Sequence, residues 1–452
     1  MVHGADTFNR GLELPQGRFQ RVGKFGRKFP NLRSLKSFSF DDAEEVGKSQ
    51  GIMEGAGADN PRIVAGFTFL GQFIDHDITF DPTSHLERQN DPEAVRNFRT
   101  PALELDSVYG AGPEAQPFLY DSRRHGHLLL NQDGEHDLPR NHQGVALIGD
   151  PRNDENLIVS QIHLTFLKFH NAVLERHSSG FEEAQTLVRW HYQWIVLNEF
   201  LRLTCGDEAV DAALARPDTF DFGDEVFMPV EFAVAAYRFG HSQVRAGYSL
   251  NDQKSAALFP ADATQSGPSH PGERTDLRGG SPVAPEFAIN WSKFFGGNEG
   301  VQPSKLIDTK LAAPLLNLPG SVVPDSSLPN KAPNRSLAVR NLKRGISFSL
   351  PSGEDVAGFY KIAPLTPEER GDLPGGEDGT PLWFYVLKEA EVRARGQHLA
   401  GVGARIVAEV VVDLLRADAA SFLASSPDWK PTLPSSAKGD FRMTDLIDIA
   451  VS

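Results

Sequence analysis

The sequence has little cysteine and lacks long apolar runs. Of its 452 residues, Cys205 is the only cysteine, and no apolar stretch is long enough to span a membrane. An intramolecular disulfide framework is therefore excluded, and no transmembrane segment is expected. The N-terminus also lacks a basic segment followed by an apolar one, so no Sec signal is predicted. We expect a cytoplasmic protein or one exported by a non-Sec route.

Basic residues are also fewer than acidic ones. The chain carries 45 Lys and Arg against 60 Asp and Glu, a formal net charge of −15. Such a surface repels nucleic acid and anionic membranes at long range, so nucleic acid is not an expected partner. Hydrophobic residues make up 40% of the chain, as in globular proteins, and this length can enclose a buried cofactor. The composition leaves the oligomeric state open.

Alternating strand patterns are missing, whereas helical periodicity recurs. It predicts helices over the segments Ile63–Ile78, Leu157–His177, Glu182–Leu203, Pro229–Arg245, Leu382–Arg395 and Ala404–Leu423. The predicted fold class is mainly α, a single large domain with long connecting loops and little β structure.

Breaks in this periodicity predict the domain organisation. Residues 1–60 are predicted as an extended N-terminal arm and residues 61–430 as the main domain. Within that domain, residues 251–285 accumulate Pro, Gly and Ser and are predicted as a surface loop or insertion, as are residues 319–334. Residues 431–452 are predicted as a C-terminal tail packed on the domain.

Three polar residues interrupt the first predicted helix. Gln72, Asp75 and His76 stand at positions i, i+3 and i+4 and share one face, whereas Asp77 is turned about 100° away. Polar groups on an apolar helix are costly to bury without partners, which favours an internal polar cavity. A solvated helix end is the alternative, and the motif alone does not separate the two.

Three further segments carry candidate functional groups. Arg152 and Glu155 lie three residues apart at the start of a helix, His241 ends the segment Tyr-Arg-Phe-Gly-His, and Asn341 follows Arg340. Alone, these residues fit a surface ion pair, a buried helical histidine and a polar helix end. Their occurrence together, in this order, carries the argument.

Taken together, these four segments resemble the animal-type haem peroxidases of the peroxidase–cyclooxygenase superfamily. The similarity runs from about residue 66 to about residue 424, and it includes Gln-x-x-Asp-His-Asp and Gly-Asp-x-Arg-x-x-Glu. With a single cysteine, the chain resembles a bacterial-type member without disulfides. The resemblance implies an enzyme that reduces hydrogen peroxide and oxidises halides, pseudohalides or small aromatic donors.

The resemblance also implies roles for the catalytic and proximal residues. His76, with Gln72, matches the acid–base catalyst that moves a proton between the two peroxide oxygens. Arg152 matches the guanidinium that stabilises negative charge on the departing oxygen. His241 matches the ligand of the haem iron, and Asn341 matches the partner of its second ring nitrogen.

Further residues match positions that hold the cofactor. Asp75 and Glu155 match carboxylates that form ester links, so the cofactor is expected to be haem b or an ester-linked derivative. Arg238 and Arg344 match basic residues near the haem propionates. Asn156 stands where the mammalian leukocyte enzyme has a methionine, so a sulfonium link is not expected.

A calcium ion is implied as well. Asp77 and the loop residues Thr100, Ala102, Glu104 and Asp106 match its ligands, and they supply the hard oxygen atoms that Ca²⁺ prefers. Glu104 and Asp106 differ from the Asp and Ser of mammalian relatives. A solvated acidic loop is the alternative.

Two rival functions remain open on the same sequence. Fatty-acid dioxygenases and cyclooxygenases place a radical tyrosine three residues before the proximal histidine, but here Arg238 holds that position and Tyr237 lies four before His241. A non-catalytic haem-binding or adhesion protein is the second rival. His163 and His170 are predicted as packed structural residues.

Overall fold

The structure is a computed structural model that describes most of the chain. The described residues are 23–80, 96–97, 99–131, 136–216, 222, 226–260, 274–296, 300–320, 322–323 and 335–452. Residues 1–22 of the predicted arm, 261–273 of the first predicted loop, and 321 and 324–334 of the second lie outside these ranges.

Helices dominate the described residues, as the sequence predicts. They are α1 (Phe40–Gly47), α2 (Ala65–Ile78), α3 (Asp106–Tyr109), α4 (Leu157–Arg176), α5 (Phe181–Ile195), α6 (Leu201–Cys205), α7 (Asp207–Ala215), α8 (Leu337–Ser347), α9 (Gly353–Tyr360), α10 (Pro367–Arg370), α11 (Leu382–Ala394), α12 (Gly401–Ala417), α13 (Phe422–Ser425) and α14 (Met443–Val451). No described helix is both long and apolar enough to cross a membrane.

Short strands form three small sheets around the helices. The strands are β1 (Gly23–Gly26), β2 (Asp59–Val64), β3 (Arg96–Asn97), β4 (Phe227–Pro229), β5 (Gly247–Ser249), β6 (Ser255–Ala257) and β7 (Pro303–Lys305). β1 lies between antiparallel β3 and parallel β4, while β2–β7 and β5–β6 are antiparallel pairs. Residues 23–60, which belong to the predicted arm, thus contain β1, α1 and the start of β2.

The helices begin where local chemistry satisfies their free N–H groups. Asn156 accepts hydrogen bonds from the first turn of α4, and Ser336 does so for α8. α2 has no side-chain cap, and its first N–H groups donate instead to the carbonyls of Gln302 and Phe294. At Gly66 a Cβ atom would lie 2.6 Å from the Phe294 oxygen, so only glycine allows this approach.

A continuous hydrophobic core surrounds the central helix α4. This helix is buried along most of its length and packs against α2, α5 and α14, while α12 packs against α7 and α11. The tail predicted at 431–452 includes α14 and contacts α4. The core therefore holds α2 and α4 in fixed relative positions.

One predicted helix, Pro229–Arg245, is not an α-helix. The chain forms a π-turn at Glu231–Ala235 and a 3₁₀-helix at Ala236–His241. The Glu231 carboxylate accepts the backbone N–H groups of Lys28 and Phe29, so a distant segment is tied to the first turn. Periodicity along one segment cannot anticipate a contact of this kind.

Two other predicted helices are interrupted. A π-turn at Val196–Phe200 divides Glu182–Leu203 into α5 and α6. The predicted helix Ala404–Leu423 corresponds to α12 and α13, with a break between Ala417 and Phe422.

Candidate active site

One face of α2 is partly accessible to solvent. Along this otherwise buried helix, Gly71, Gln72 and Asp75 are partly exposed, whereas His76 and Asp77 are buried. Gln72 has no hydrogen-bond partner among the described residues, and Asp75 accepts a hydrogen bond from the Thr79 hydroxyl at 3.0 Å. Gln72 and Asp75 therefore share the solvent-accessible side of α2.

The His76 ring is held by Asn153. Its Nδ1 lies 2.8 Å from the Asn153 Oδ1, and the Asn153 Nδ2 lies 2.9 Å from the His163 Nδ1. An amide oxygen only accepts, so His76 Nδ1 carries the proton and its Nε2 keeps a lone pair. His163 takes the opposite tautomer, because the Asn153 amide nitrogen donates to its Nδ1.

The surroundings keep His76 neutral. Burial, reinforced by the positive charge of Arg152, lowers the pKa of His76 to about 4. Burial also lowers the pKa of His163 to about 3. Near neutral pH the Nε2 atom of His76 is therefore a proton acceptor, which suits an acid–base catalyst.

Arg152 is fixed by its own loop and by α2. Its Nη2 donates to the His76 carbonyl oxygen at 2.9 Å, and Nε and Nη2 donate to Asp150. The guanidinium lies over the Phe80 ring, 4.5 Å from its centre. Nη1 has no hydrogen-bond partner among the described residues, and the side chain is 17% exposed. This arrangement leaves one donor edge free beside His76.

A second arginine supports this loop. Arg99 donates to Asp150 at 2.6 Å and lies 3.1 Å from Asp106. Burial opposes ionisation of Asp150, but the charges of Arg152 and Arg99 hold its pKa below the usual value. At Gly149 a Cβ atom would lie 2.5 Å from the Ser107 oxygen, so glycine permits the close contact between the two loops.

Glu155 lies at the end of the same segment, directly before α4. Its side chain is exposed to solvent, yet partial desolvation raises its pKa against the opposing charge of Arg152. The surface ion pair considered from sequence is absent, because within the described residues Arg152 pairs with Asp150.

His241 forms a second imidazole site, which is only partly buried. Its Nδ1 lies 2.8 Å from the Asn341 Nδ2, and the Asn341 Oδ1 accepts a hydrogen bond from Arg238 at 3.3 Å. Burial and the nearby charge of Arg238 lower the pKa of His241 to about 3. The ring is neutral, and in this amide orientation its proton is on Nε2.

Cations surround this imidazole. Arg340 Nη1 is buried without a hydrogen-bond partner among the described atoms. Burial and the charge of Arg238 lower the pKa of Arg340. Arg344, one turn further along α8, is partly exposed. A buried, unpartnered guanidinium edge near a second arginine fits an anionic group that binds there.

Tyr237 points away from the His241 face. A 3₁₀-helix turns about 120° per residue, so residues three apart are aligned and residues four apart are not. Arg238 accordingly shares the face of His241 and reaches its partner Asn341, while the Tyr237 hydroxyl donates to the Gly71 carbonyl at 3.2 Å. That bond joins the His241 segment directly to α2.

The acidic loop beside α2 contains unpaired oxygens. Asp77 Oδ2 accepts the Leu105 N–H at 3.1 Å, while Asp77 Oδ1 and Asp106 Oδ1 are buried without hydrogen-bond partners among the described atoms. Burial, with the nearby charge of Asp106, raises the pKa of Asp77 well above its usual value. Burial also raises the pKa of Glu104 to about 7.

The remaining predicted loop residues have other contacts. The Glu104 side chain accepts a hydrogen bond from Thr100, the Thr100 carbonyl accepts the Ala102 N–H at 2.8 Å, and the Glu104 carbonyl accepts from Arg189. Among the described residues, no three His, Cys, Asp or Glu side chains form a ready metal cluster.

We predict that Asn153→Ala destabilises the protein by about 1 to 3 kcal/mol, because two buried imidazoles lose their partners together. Urea unfolding measures this effect. Asn198→Ala is the matched control, since Asn198 makes one long hydrogen bond, to the Trp194 carbonyl at 3.3 Å. Equal destabilisation by both variants would contradict the bridging role of Asn153.

Part of the chain is similar to a known protein family. Residues 84–266 match the family model of the animal haem peroxidases. This part of the chain is similar to an animal haem peroxidase domain. A peroxidase-like protein of Margaritifera margaritifera is 25% identical over 308 residues, which cover 52% of this chain. The match spans only 38% of that relative's length.

Solved structures show the same fold. Peroxidase A from Dictyostelium discoideum has a TM-score of 0.58 at 17% identity, covering 96% of this chain and 92% of that chain. The fatty acid α-dioxygenase of Oryza sativa has a TM-score of 0.59 at 16% identity, covering 89% and 76%. At these identities the likeness concerns the fold alone.

Sequence reasoning missed four residues of this site. They are Arg99, Asp150, Asn153 and Arg340. Asp150 and Asn153 flank Arg152, so the polar density of that segment was an available signal. Nothing in the local sequence distinguishes Arg99 or Arg340 from an ordinary solvated arginine.

Proposed function

We propose that this protein is a haem peroxidase that reduces hydrogen peroxide at a site formed by His76 and Arg152. The observation that carries the proposal is the His76–Asn153 hydrogen bond, which fixes a neutral imidazole with its Nε2 lone pair free beside Arg152. This pair offers one group that moves a proton and one that stabilises negative charge.

The chemistry of each residue follows from its contacts. Nε2 of His76 takes the proton from one peroxide oxygen and returns it to the other, while Nδ1 stays bonded to Asn153. The free Nη1 of Arg152 stabilises the charge that develops on the departing oxygen. The Gln72 amide, one helical turn before His76 and partly exposed, orients peroxide or water by hydrogen bonding. Haem, when bound, supplies the redox centre.

His241 is the proposed ligand of the haem iron. Coordination through Nε2 requires the proton to be on Nδ1, so the Asn341 amide must turn and accept from that nitrogen. The turned amide would present its NH₂ group to Arg238, which is also a donor. Arg238 must then leave Asn341, and a haem propionate is the anion that would take it up.

Three arginines are proposed to hold the propionates. Arg238 and Arg344 are the residues expected from the family resemblance, and Arg340 joins them because its buried Nη1 has no partner among the described atoms. Two propionates would offset the charge that arginines gather around His241.

Covalent attachment is proposed through Asp75 and Glu155, which are both accessible to solvent. We predict that acid–acetone treatment leaves haem on the wild-type protein after exposure to peroxide, because ester bonds resist this extraction. D75N/E155Q should release its haem, since an amide forms no ester. Absorbance of the acetone phase measures release, and equal release from both proteins would count against the links.

We also propose a calcium ion at the acidic loop. The unpartnered oxygens of Asp77 and Asp106 fit a hard cation, which would relieve the repulsion between these carboxylates. Thr100, Ala102 and Glu104 remain the other proposed ligands, and the Ser107 hydroxyl, also buried without a partner among the described atoms, is an additional candidate.

Calcium removal should lower the melting temperature by several degrees, because a ligand that binds only the folded state stabilises it. Differential scanning calorimetry before and after EGTA treatment, followed by calcium addition, measures the change. D77N should lose the calcium response. The site would be contradicted if EGTA left the melting temperature unchanged in wild-type protein that elemental analysis shows to contain calcium.

The proposed donors are halides, pseudohalides or small aromatic molecules. Stopped-flow spectra of the haem-loaded protein with peroxide, followed by bromide, iodide, thiocyanate or a phenol, test the proposal. We expect a fast peroxide reaction and donor-dependent return to the starting spectrum. Linoleate oxygenation without that reaction would instead favour the dioxygenase function, which the orientation of Tyr237 disfavours. Haem binding without either reaction would favour a non-catalytic role.

A further inference from the structure

A second cavity, of about 210 Å³, lies outside the haem-binding region proposed above. It is bordered by the chain near β1, the C-terminal end of α9, the residue after α7, and α12. None of the residues assigned to haem or peroxide lines it. Its function is therefore a separate question from peroxide chemistry.

The charge of this cavity differs from that of the whole protein. Lys28, Arg216, Lys361 and Arg405 line it together with a single carboxylate, Glu409. The lining thus carries a formal charge of +3, from four cations and one anion, in a chain whose net charge is −15. Such local concentration of positive charge attracts anions.

Both carboxylate oxygens of Glu409 already have partners. Its Oε1 accepts hydrogen bonds from Arg405 at 2.9 Å and from Arg216 at 3.4 Å. Its Oε2 accepts from the Tyr360 hydroxyl at 2.9 Å and lies 3.0 Å from the Lys28 ammonium. One carboxylate cannot neutralise three cations, so the positive field remains.

A second carboxylate near Lys28, that of Glu231, lies outside the cavity lining. Glu231 is fully buried, and its oxygens accept the backbone N–H groups of Lys28 and Phe29. It does not line the cavity.

The outer part of the cavity presents free donors. Lys361 is exposed, and its ammonium has no partner among the described residues. Arg216 is 48% exposed and, among the described residues, bonds only to Glu409, at 3.4 Å. The Nη1 atom of Arg405 is also without a partner in the described part of the chain. These groups can bind an incoming anion without breaking strong internal bonds.

An aromatic wall accompanies these donors. Phe359 is 57% exposed, although its ring also packs edge-on against Phe29 with centres 5.0 Å apart. A large apolar side chain beside a polar cavity favours a ligand with an apolar part. The volume suits one small molecule rather than a polymer.

We propose that this cavity binds a small organic anion, a phosphate or carboxylate attached to an aromatic group. The anionic group lies among Arg216, Lys361 and Arg405, and the ring packs against Phe359. The inference does not depend on the peroxidase function.

Isothermal titration calorimetry of the haem-loaded protein with phenyl phosphate, in the absence of peroxide, tests the site. We expect saturable one-to-one binding that weakens with added NaCl. K361E and R216A/K361A should each weaken binding by about tenfold or more, since charge-assisted hydrogen bonds are lost. K361E changes a side chain without partners among the described residues, so its fold should be intact. R123A removes an equally exposed charge elsewhere and should bind normally.

Inorganic phosphate separates the two parts of the proposal. Wild-type protein should bind phenyl phosphate more tightly than inorganic phosphate, and F359A should remove that difference. Because Asp218 and Asp221 follow Arg216 in the sequence, the titrations are repeated in a D218N/D221N background. The site is supported if phenyl phosphate binds in either background and K361E weakens that binding. No binding in both backgrounds, or binding that R123A and K361E weaken equally, overturns it.

Discussion

His241→Ala is expected to abolish stable haem incorporation. The imidazole is the proposed link between the chain and the iron, and the Asn341 amide contacts its Nδ1 atom. Loss of a partner of a metal-bound histidine typically costs 10- to 100-fold in affinity, so loss of the ligand should lower haem affinity by more than about 100-fold. The haem content of purified protein, measured by the pyridine haemochrome spectrum, gives the result.

Three comparisons make this test specific. H142A removes an exposed histidine and should keep full haem content. N341A should lie between wild type and H241A, because it removes orientation but not the ligand. Added imidazole should restore haem binding to a folded H241A protein. Full haem content in H241A would require a different iron ligand.

His76→Ala should keep haem but slow peroxide cleavage by about 100-fold or more. The variant leaves Arg152 bound to Asp150, so charge stabilisation remains while the proton acceptor is lost. The second-order rate constant of the spectral change with peroxide measures the effect. H125A, which removes an exposed histidine, should react like wild type. Fast cleavage by H76A would exclude His76 as the catalyst.

The pH dependence follows from the same environment. Burial lowers the pKa of His76 to about 4, below its usual value of about 6.5, so the imidazole stays neutral over most of the acidic range. The wild-type rate should therefore hold as pH falls from 7 and decline only as pH approaches about 4. A decline centred near 6.5 would indicate a solvated imidazole.

The α2 motif was predictable because its geometry is local. Gln72 and Asp75 are three residues apart on a regular helix, so helical spacing alone predicts their common face, and the structure leaves both partly exposed there. The mainly α fold was predictable for the same reason. Apolar periodicity reports which face of a helix is buried.

The His241 segment shows where local reasoning fails. Its apolar pattern fits an ordinary helix, but the chain follows a π-turn and then a 3₁₀-helix. The Glu231 contacts with residues 28 and 29 stabilise the irregular path, and they join segments more than 200 residues apart. The different rotation per residue then decides whether Tyr237 or Arg238 faces the partner of His241.

The features that the sequence determined by itself depend on residues close together along the chain. The lack of disulfides, the helical faces and the family-like motifs depend on residue types at short, fixed spacing. Only the tertiary structure decided which distant groups meet. Asn153 joins His76 to His163, and Asn341 contacts His241. Residues as far apart in the sequence as Lys28 and Glu409 line the cationic cavity. Long-range packing decides tautomer, charge and free donors, because each depends on partners that chain proximity does not specify.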